Sequence, residues 1–431
     1  MSEATSGASQ AFETALKVGR PPNITRLFPH SRALIVSGKV IDRAMLKKGK
    51  AMTIAANGRN HFVIRGALLA AQRANAAIIM EIAKSEGGAN PYCAVNYWNL
   101  ARQVDTVMNE LGITVPVALH ADHYGIKGDK DVTGAKTEIP SMFDAGLTSI
   151  AIDASHLPDD ENLLASLELS TLVPGWAGYE TEVGEIKGKE GLSTKEEALF
   201  LIQGLNAHER FPDWIALNNG TTHGIEASDQ GIQVPLTMEI HEALAKYRVS
   251  GAQHGTSGNS SERLREIAQK TRTTKANVAT ALQMITWGVK VNEFGNAMLD
   301  DRGEFVKRSD AGVTDELWAE MDAYAKSAGL KAGDYKKLNL PFENKLLGLP
   351  REIRERMAKG VADFVYDLLI NVFNAGDTAP IAMDMIVEKG SYDLGPKGSR
   401  LEDPEEWTEP KIRDRATQLN TDPGAGGNFD D

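Results

Sequence analysis

At 431 residues the chain is too long for one small domain and long enough for a barrel with extensions. A formal net charge of −12 argues against a nucleic-acid footprint and against attraction to anionic membranes, while 42% hydrophobic and 25% charged residues is the balance of a soluble globular protein. A single cysteine, Cys93, excludes an intrachain disulfide; the N-terminal "MSEATSGASQAFETALKVGR" lacks the apolar region of a secretory signal, and no apolar run approaches the roughly 18 residues of a spanning helix, so a cytoplasmic protein is expected.

Residues 1–30 are small and polar and read as a loose arm. A regular alternation follows. "KAMTIAAN" (50–57) reads as a strand, "HFVIRGALLAAQRA" (61–74) as an amphipathic helix, "AAIIMEI" (76–82) as a strand and 94–111 as a helix. "VPVALH" (115–120) is the third strand, "TEIPSMFDAG" a helix stopping at Gly146, and "SIAIDAS" (149–155) the fourth strand. "GYETEVG" (178–184) is the fifth, followed by a Gly- and Lys-rich loop. Ser193 and Glu196 form a capping-box pattern opening a helix at 194–205. "WIALNN" (214–219), "VSGAQH" (249–254) and "GVKVNEF" (288–294) read as strands six to eight, with helices at 235–247 and across 260–286. Eight strands alternating with helices predict a closed parallel (β/α)8 barrel. The expected organisation is an arm (1–30), a barrel (31–300), a helical part of the same domain (301–375) including a helix at 351–373, and an acidic Pro/Gly-rich extension (376–431).

Polar residues sit at the strand ends. His123 follows the third strand, Asp153 ends the fourth, Glu182 is late in the fifth, His223 lies past the sixth, His254 ends the seventh, and Asn292 lies in the eighth. In a barrel all these ends share one face, where active sites are built. Any one of these histidines reads most simply as a satisfied structural group, but the register of the set argues for a site. Three histidines with an open position suit Zn²⁺ or a similar borderline metal. Asp122 beside them offers a proton carrier. The loops "NNGTTHG" (218–224) and "QHGTSGNS" (253–260) have the glycines of an anion cradle, although plain turn chemistry accounts for either alone. "GEIKGKEG" (184–191) reads either as a solvated loop or as a lid carrying Glu190 as a base.

These segments resemble the class II, metal-dependent fructose-bisphosphate aldolases over roughly residues 50–300, and more weakly to about 375. "LHADH" is similar to the family's His-x-Asp-His signature, and "SIAIDASHLPDDEN" to its fourth-strand segment. "YETEVGEIKGKEG" is similar to its Glu-x-Glu motif with a trailing glutamate, and "TTHG" and "HGTSG" to its two histidine-glycine loops. The resemblance implies that His123, His223 and His254 hold a catalytic zinc. It implies that Asp153 and Glu182 serve a second or alternate position for a divalent or monovalent cation. It makes Asp122 the acid/base at the substrate C4 hydroxyl and Glu190 the base at C3 of dihydroxyacetone phosphate. Gly224, Gly255, Thr256, Ser257 and Asn292 would cradle the ketose and its phosphate. The implied activity is reversible cleavage of fructose 1,6-bisphosphate to dihydroxyacetone phosphate and glyceraldehyde 3-phosphate through a metal-stabilised enediolate, in a homodimer or homotetramer; the net charge of −12, not the resemblance, argues against nucleic-acid and membrane partners.

The departures concern the substrate. The family's Asn-x-Asp/Asn-Thr run after its last strand is represented by "NEFGN" (292–296), and 259–287 reads as an over-long connection. "MEIAKSEGG" places Glu81 and Glu86 where many members carry Gln and Ser. Arg351 falls near the position of an arginine that reaches a partner subunit's substrate in the family. Another ketose phosphate, such as tagatose 1,6-bisphosphate, is therefore an alternative. A metal-dependent hydrolase and a catalytically silent barrel are further ones. A Schiff-base lysine has no evident candidate among these strands, since Lys290 precedes the end of the last.

Overall fold

The computed structural model describes residues 3–184, 191–220, 231–293 and 295–419. Eight parallel strands close into a barrel in sequence order. They are β1 (Thr53–Asn57), β2 (Ile78–Ala83), β3 (Val117–Gly125), β4 (Ser149–Asp153), β5 (Gly178–Val183), β6 (Trp214–Leu217), β7 (Ser250–Gln253) and β8 (Thr273–Val278). Helices cover the outside, so the strands are buried on both faces and read as short apolar runs without clean alternation. Asn57, Glu81, His120, Ser149 and Gly178 pair in succession and mark one level around the wall.

One strand differs from the sequence reading. The eighth strand is Thr273–Val278, not 288–294. "TTKANV" turns Lys275 and Asn277 into the barrel and so lacks an apolar inward face, which is why it passed for helix. "GVKVNEF" does have a strand-like pattern, but it belongs to an irregular antiparallel ribbon outside the barrel, with bridges Val289–Lys307, Val291–Ala297 and Leu299–Phe305. The segment 259–287 is thus no long connection: it holds a helix, β8 and the helix Thr280–Trp287.

Smaller differences have local causes. The expected arm contains the helices Glu3–Val18 and Pro22–Leu27, which bury Phe12, Ala15 and Ile24. The capping box sits one residue later than read, on Thr194 and Glu197. Ser193 instead bridges β5 and β6, donating to the Val183 carbonyl and accepting from Asn218 N, both at 2.8 Å. The C-terminal extension is docked as far as residue 419. Lys397 reaches under the barrel to Asp42 at 2.5 Å, and Trp407 packs on Phe200.

The helix Arg351–Asp367 covers this subunit's own barrel, lying against the helix His61–Ala74. Their contact depends on Gly66, where a Cβ would meet the Ala358 carbonyl oxygen and Val361 Cβ at 2.5 Å. A backbone carbonyl in a helix cannot step aside. Gly66→Ala is therefore expected to destabilise the fold by about 1–3 kcal/mol, the usual cost of overpacking. Denaturant unfolding measures it, and a midpoint equal to wild type would show that the two helices are not held this closely.

Candidate active site

The site is built at the C-terminal ends of the strands. Asp122 and His123 are neighbours on β3 and would ordinarily face opposite sides of the sheet. They do not, because the β3–β4 register slips between Ala121 and Tyr124 and His123 adopts a left-handed φ of +40°. A non-glycine residue in that region signals a functional constraint at such a bulge. Both side chains consequently line the same cavity.

His123 Nδ1 lies 3.3 Å from Asp153 Oδ2 and 3.4 Å from Glu182 Oε2. Its ring is edge-on to His254, with centroids 4.2 Å apart. Ligand atoms of Asp122, His123 and His254 fall within 4.8 Å of one another, as do those of His123, Asp153 and Glu182. His254 Nε2 is 2.8 Å from Glu180 Oε1. Its other nitrogen, Nδ1, is buried without a hydrogen bond, 3.8 Å from Glu182 Oε1. Orphaned buried groups of this kind need an explanation. A bare imidazole nitrogen with its far N–H committed to a carboxylate is the arrangement of a metal-ligating histidine. The donor set of nitrogen and carboxylate oxygen fits a borderline divalent cation.

Electrostatics follow from burial and close charge. Burial opposes ionisation of Asp122, yet His123, Lys275 and His254 outweigh it and hold its carboxyl down to about 2. Burial also opposes a charge on His123, but Asp122 and Glu182 override it and raise its pKa well above the usual histidine value. Glu182 moves upward, through burial and then through Asp153.

Of the expected substrate contacts, Gly255, Thr256 and Ser257 line the cavity of about 860 Å³. Thr256 Oγ1 donates to the Asn277 carbonyl at 2.6 Å, and Ser260 caps the next helix by accepting from Arg263 N. Asn292 is not at a strand end; it lines a separate cavity of about 250 Å³ behind Ser257. The residue at the end of the true last strand is Asn277. It donates to Asp122 Oδ1 at 2.8 Å, while its own Oδ1 is buried without a partner. The Asn-x-x-Thr run is therefore Asn277 to Thr280, with Ala279 at its third position. His223, Gly224 and Glu190 lie outside the described residues.

Glu86 does not confront a phosphate unpaired: Arg59 Nε meets it at 2.5 Å. Glu81 lines the cavity with both oxygens buried and unbonded, and burial followed by Asp122 raises its pKa well above the carboxylate range. His120, at the end of the third predicted strand and expected to orient a neighbouring group, lies deeper, 2.7 Å from Ser149 Oγ. Arg351 is on the surface, paired with Glu355 at 2.7 Å. Sequence reasoning missed Glu180, Lys275 and Asn277. The two-residue spacing of Glu180 and Glu182 was a usable sign that both face inward.

Residues 39–329 match the family described as fructose-bisphosphate aldolase class-II. The chain is 33% identical over 193 residues to a fructose-bisphosphate aldolase of Mycoplasma pneumoniae, covering 44% of this chain and 61% of that protein. It is 28% identical over 253 residues to one from Streptococcus pyogenes, covering 58% of this chain and 80% of that protein. The chain thus spans less than two thirds of the Mycoplasma relative and more of the streptococcal one. In fold it is similar to the fructose-bisphosphate aldolase of Campylobacter jejuni, with a TM-score of 0.53 at 18% identity over 80% of this chain and 97% of that one. It is also similar to the YdjI aldolase of Escherichia coli K12, with a TM-score of 0.51 at 16% identity over 80% and 99%.

Proposed function

The chain belongs to the class II fructose-bisphosphate aldolase family, and from that premise we propose that it is a zinc-dependent aldolase that cleaves and forms the C3–C4 bond of a phosphorylated ketose. The observation that carries the reading is the bare Nδ1 of His254, set beside His123 with its opposite nitrogen bonded to Glu180. His123 and His254 would hold the cation, with His223 as the third nitrogen; Asp153 and Glu182 flank a second or alternate position. When bound, the divalent cation supplies a Lewis-acid charge against the negative charge that develops on the ketone oxygen.

The chain's own groups do the rest. Asp122 is ionised at neutral pH and takes the proton of the C4 hydroxyl. A carboxylate held that low is a weak base, so it takes the proton only as C3–C4 breaks and the hydroxyl becomes a carbonyl. Asn277 fixes the carboxylate through Oδ1. Glu190 is assigned the C3 proton. Gly255, Thr256 and Ser257 carry the phosphate end, with Gly224 from the other glycine loop. Asn277 takes the place that the sequence reading assigned to Asn292.

Fructose 1,6-bisphosphate is the first substrate to assay because the relatives bear its name. Glu81 and Ala279 keep tagatose 1,6-bisphosphate and related ketose phosphates as the second. We assign the protein to the cytoplasm as a homodimer or homotetramer; among the described residues no helix is long and apolar enough to cross a membrane.

The test is a coupled cleavage assay with chelator and with added zinc. Activity is expected to disappear with chelator and return with Zn²⁺. Chelator-resistant activity that borohydride plus substrate abolishes would instead indicate an imine. Lys275 is the one lysine within the described barrel strands, but burial notwithstanding, Glu180 above all raises its pKa and keeps it an ammonium, which is no nucleophile.

A further inference from the structure

Beneath the cavity, β8 carries an ammonium that lines neither the cavity nor the surface. Lys275 is fully buried. Its Nζ donates to Glu180 Oε2 at 2.8 Å and lies 3.1 Å from His120 Nε2. Glu81 Oε2 is 3.5 Å away and Asp122 Oδ1 3.7 Å. Taking an ammonium out of water is costly, so it persists only where acids and acceptors enclose it. Here three acidic side chains from β2, β3 and β5 do so, with Glu180 the nearest.

The contacts form an ordered relay. Glu180 is shared: Oε2 receives Lys275 and Oε1 receives the Nε2–H of His254. In the neutral ring that second bond makes Nδ1 of His254 the proton-free nitrogen, without a hydrogen bond and 3.8 Å from Glu182 Oε1. On the other side, Lys275 donates to His120 Nε2, which makes His120 a neutral ring whose Nδ1–H donates to Ser149 Oγ. Glu81, His120 and Asp122 bring potential ligand atoms within 4.8 Å of one another. The cation among them is a lysine side chain rather than a metal.

We propose that Lys275 is a positioning residue of the metal centre: its ammonium anchors Glu180, which turns His254 Nδ1 toward the cation, and it steadies the Asp122 carboxylate from below. The inference rests on reading His254 as a metal ligand. Without the ammonium, Glu180 loses its second anchor and can rotate. His254 then samples both tautomers, and a ligand that must be reoriented binds more weakly.

The test uses the full-length chain with Lys275→Met, and a double variant Lys275→Met/Glu180→Gln that removes the charges in a pair in case the single variant does not fold. Zinc affinity is measured by competition with a chromogenic chelator, and the His254 tautomer by ¹⁵N-histidine NMR of the metal-free protein. Wild type is expected to show one tautomer, protonated at Nε2. The variants are expected to show a mixture and a roughly 10–100-fold loss of zinc affinity, the range for removing a partner of a ligand. A variant that folds, keeps wild-type zinc affinity and keeps a single tautomer overturns the proposal, even if its melting temperature drops, since a purely structural lysine would act that way. If wild type binds no zinc, the ligand assignment of His254 fails and this inference falls with it.

Discussion

Replacing His254 with alanine is expected to remove bound metal and aldol activity together. His254 is nearly fully buried at 1% exposure, so water cannot easily stand in for the lost nitrogen. Its Nε2–H is fixed by Glu180 at 2.8 Å, and its Nδ1 is the one ring position left for a cation. Truncation deletes a direct ligand rather than a supporting group. The fall in zinc affinity should therefore exceed the roughly 10–100-fold that supporting groups cost. Elemental analysis after gel filtration, with the coupled cleavage assay alongside, measures both. A variant with full activity and stoichiometric zinc would remove His254 from the metal centre. A variant with zinc but no activity would make it a substrate contact instead.

Asp122→Asn should separate metal from chemistry. The asparagine oxygen can still accept the Asn277 amide, so the bond seen at 2.8 Å has a replacement and the cavity wall keeps its shape. The side chain can no longer take a proton. Zinc content is expected to stay at the wild-type level while cleavage slows by about 10²–10⁴-fold, the range for a positioned acid/base. Exchange of the C3 proton of dihydroxyacetone phosphate should survive, because that proton is assigned to Glu190. Cleavage at the wild-type rate would take Asp122 out of the mechanism. Loss of zinc along with the rate would show that its charge is needed to hold the metal rather than to move a proton.

The barrel was legible because most of its strands obey one-dimensional rules. "MTIAAN", "AIIMEI" and "SIAID" are short apolar runs between helical patterns, and strands of that kind are buried on both faces. Strand ends are also where a barrel exposes side chains, so His123, Asp153, Glu182 and His254 could be placed on one face from spacing alone. The structure brings these four together. "TTKANV" obeyed no such rule. Its inward residues are Lys275 and Asn277, and an inward lysine is acceptable only beside acids that sequence cannot place next to it.

The sequence by itself therefore determined the fold class, the motif set and the residue types at the strand tips. These depend on local periodicity and on which residue stands at the end of which run. Tertiary structure alone decided three things. It identified the eighth strand, and with it replaced Asn292 by Asn277 at the site. It set Asp122 and His123 on the same side through a left-handed bulge that no local pattern announces. It also built the floor of the centre from Lys275, Glu180 and His120, partners separated by 95 and 155 positions in the chain. The physical reason is the same each time. A buried polar group is allowed only by the partner that satisfies it, and that partner is found by closing the barrel.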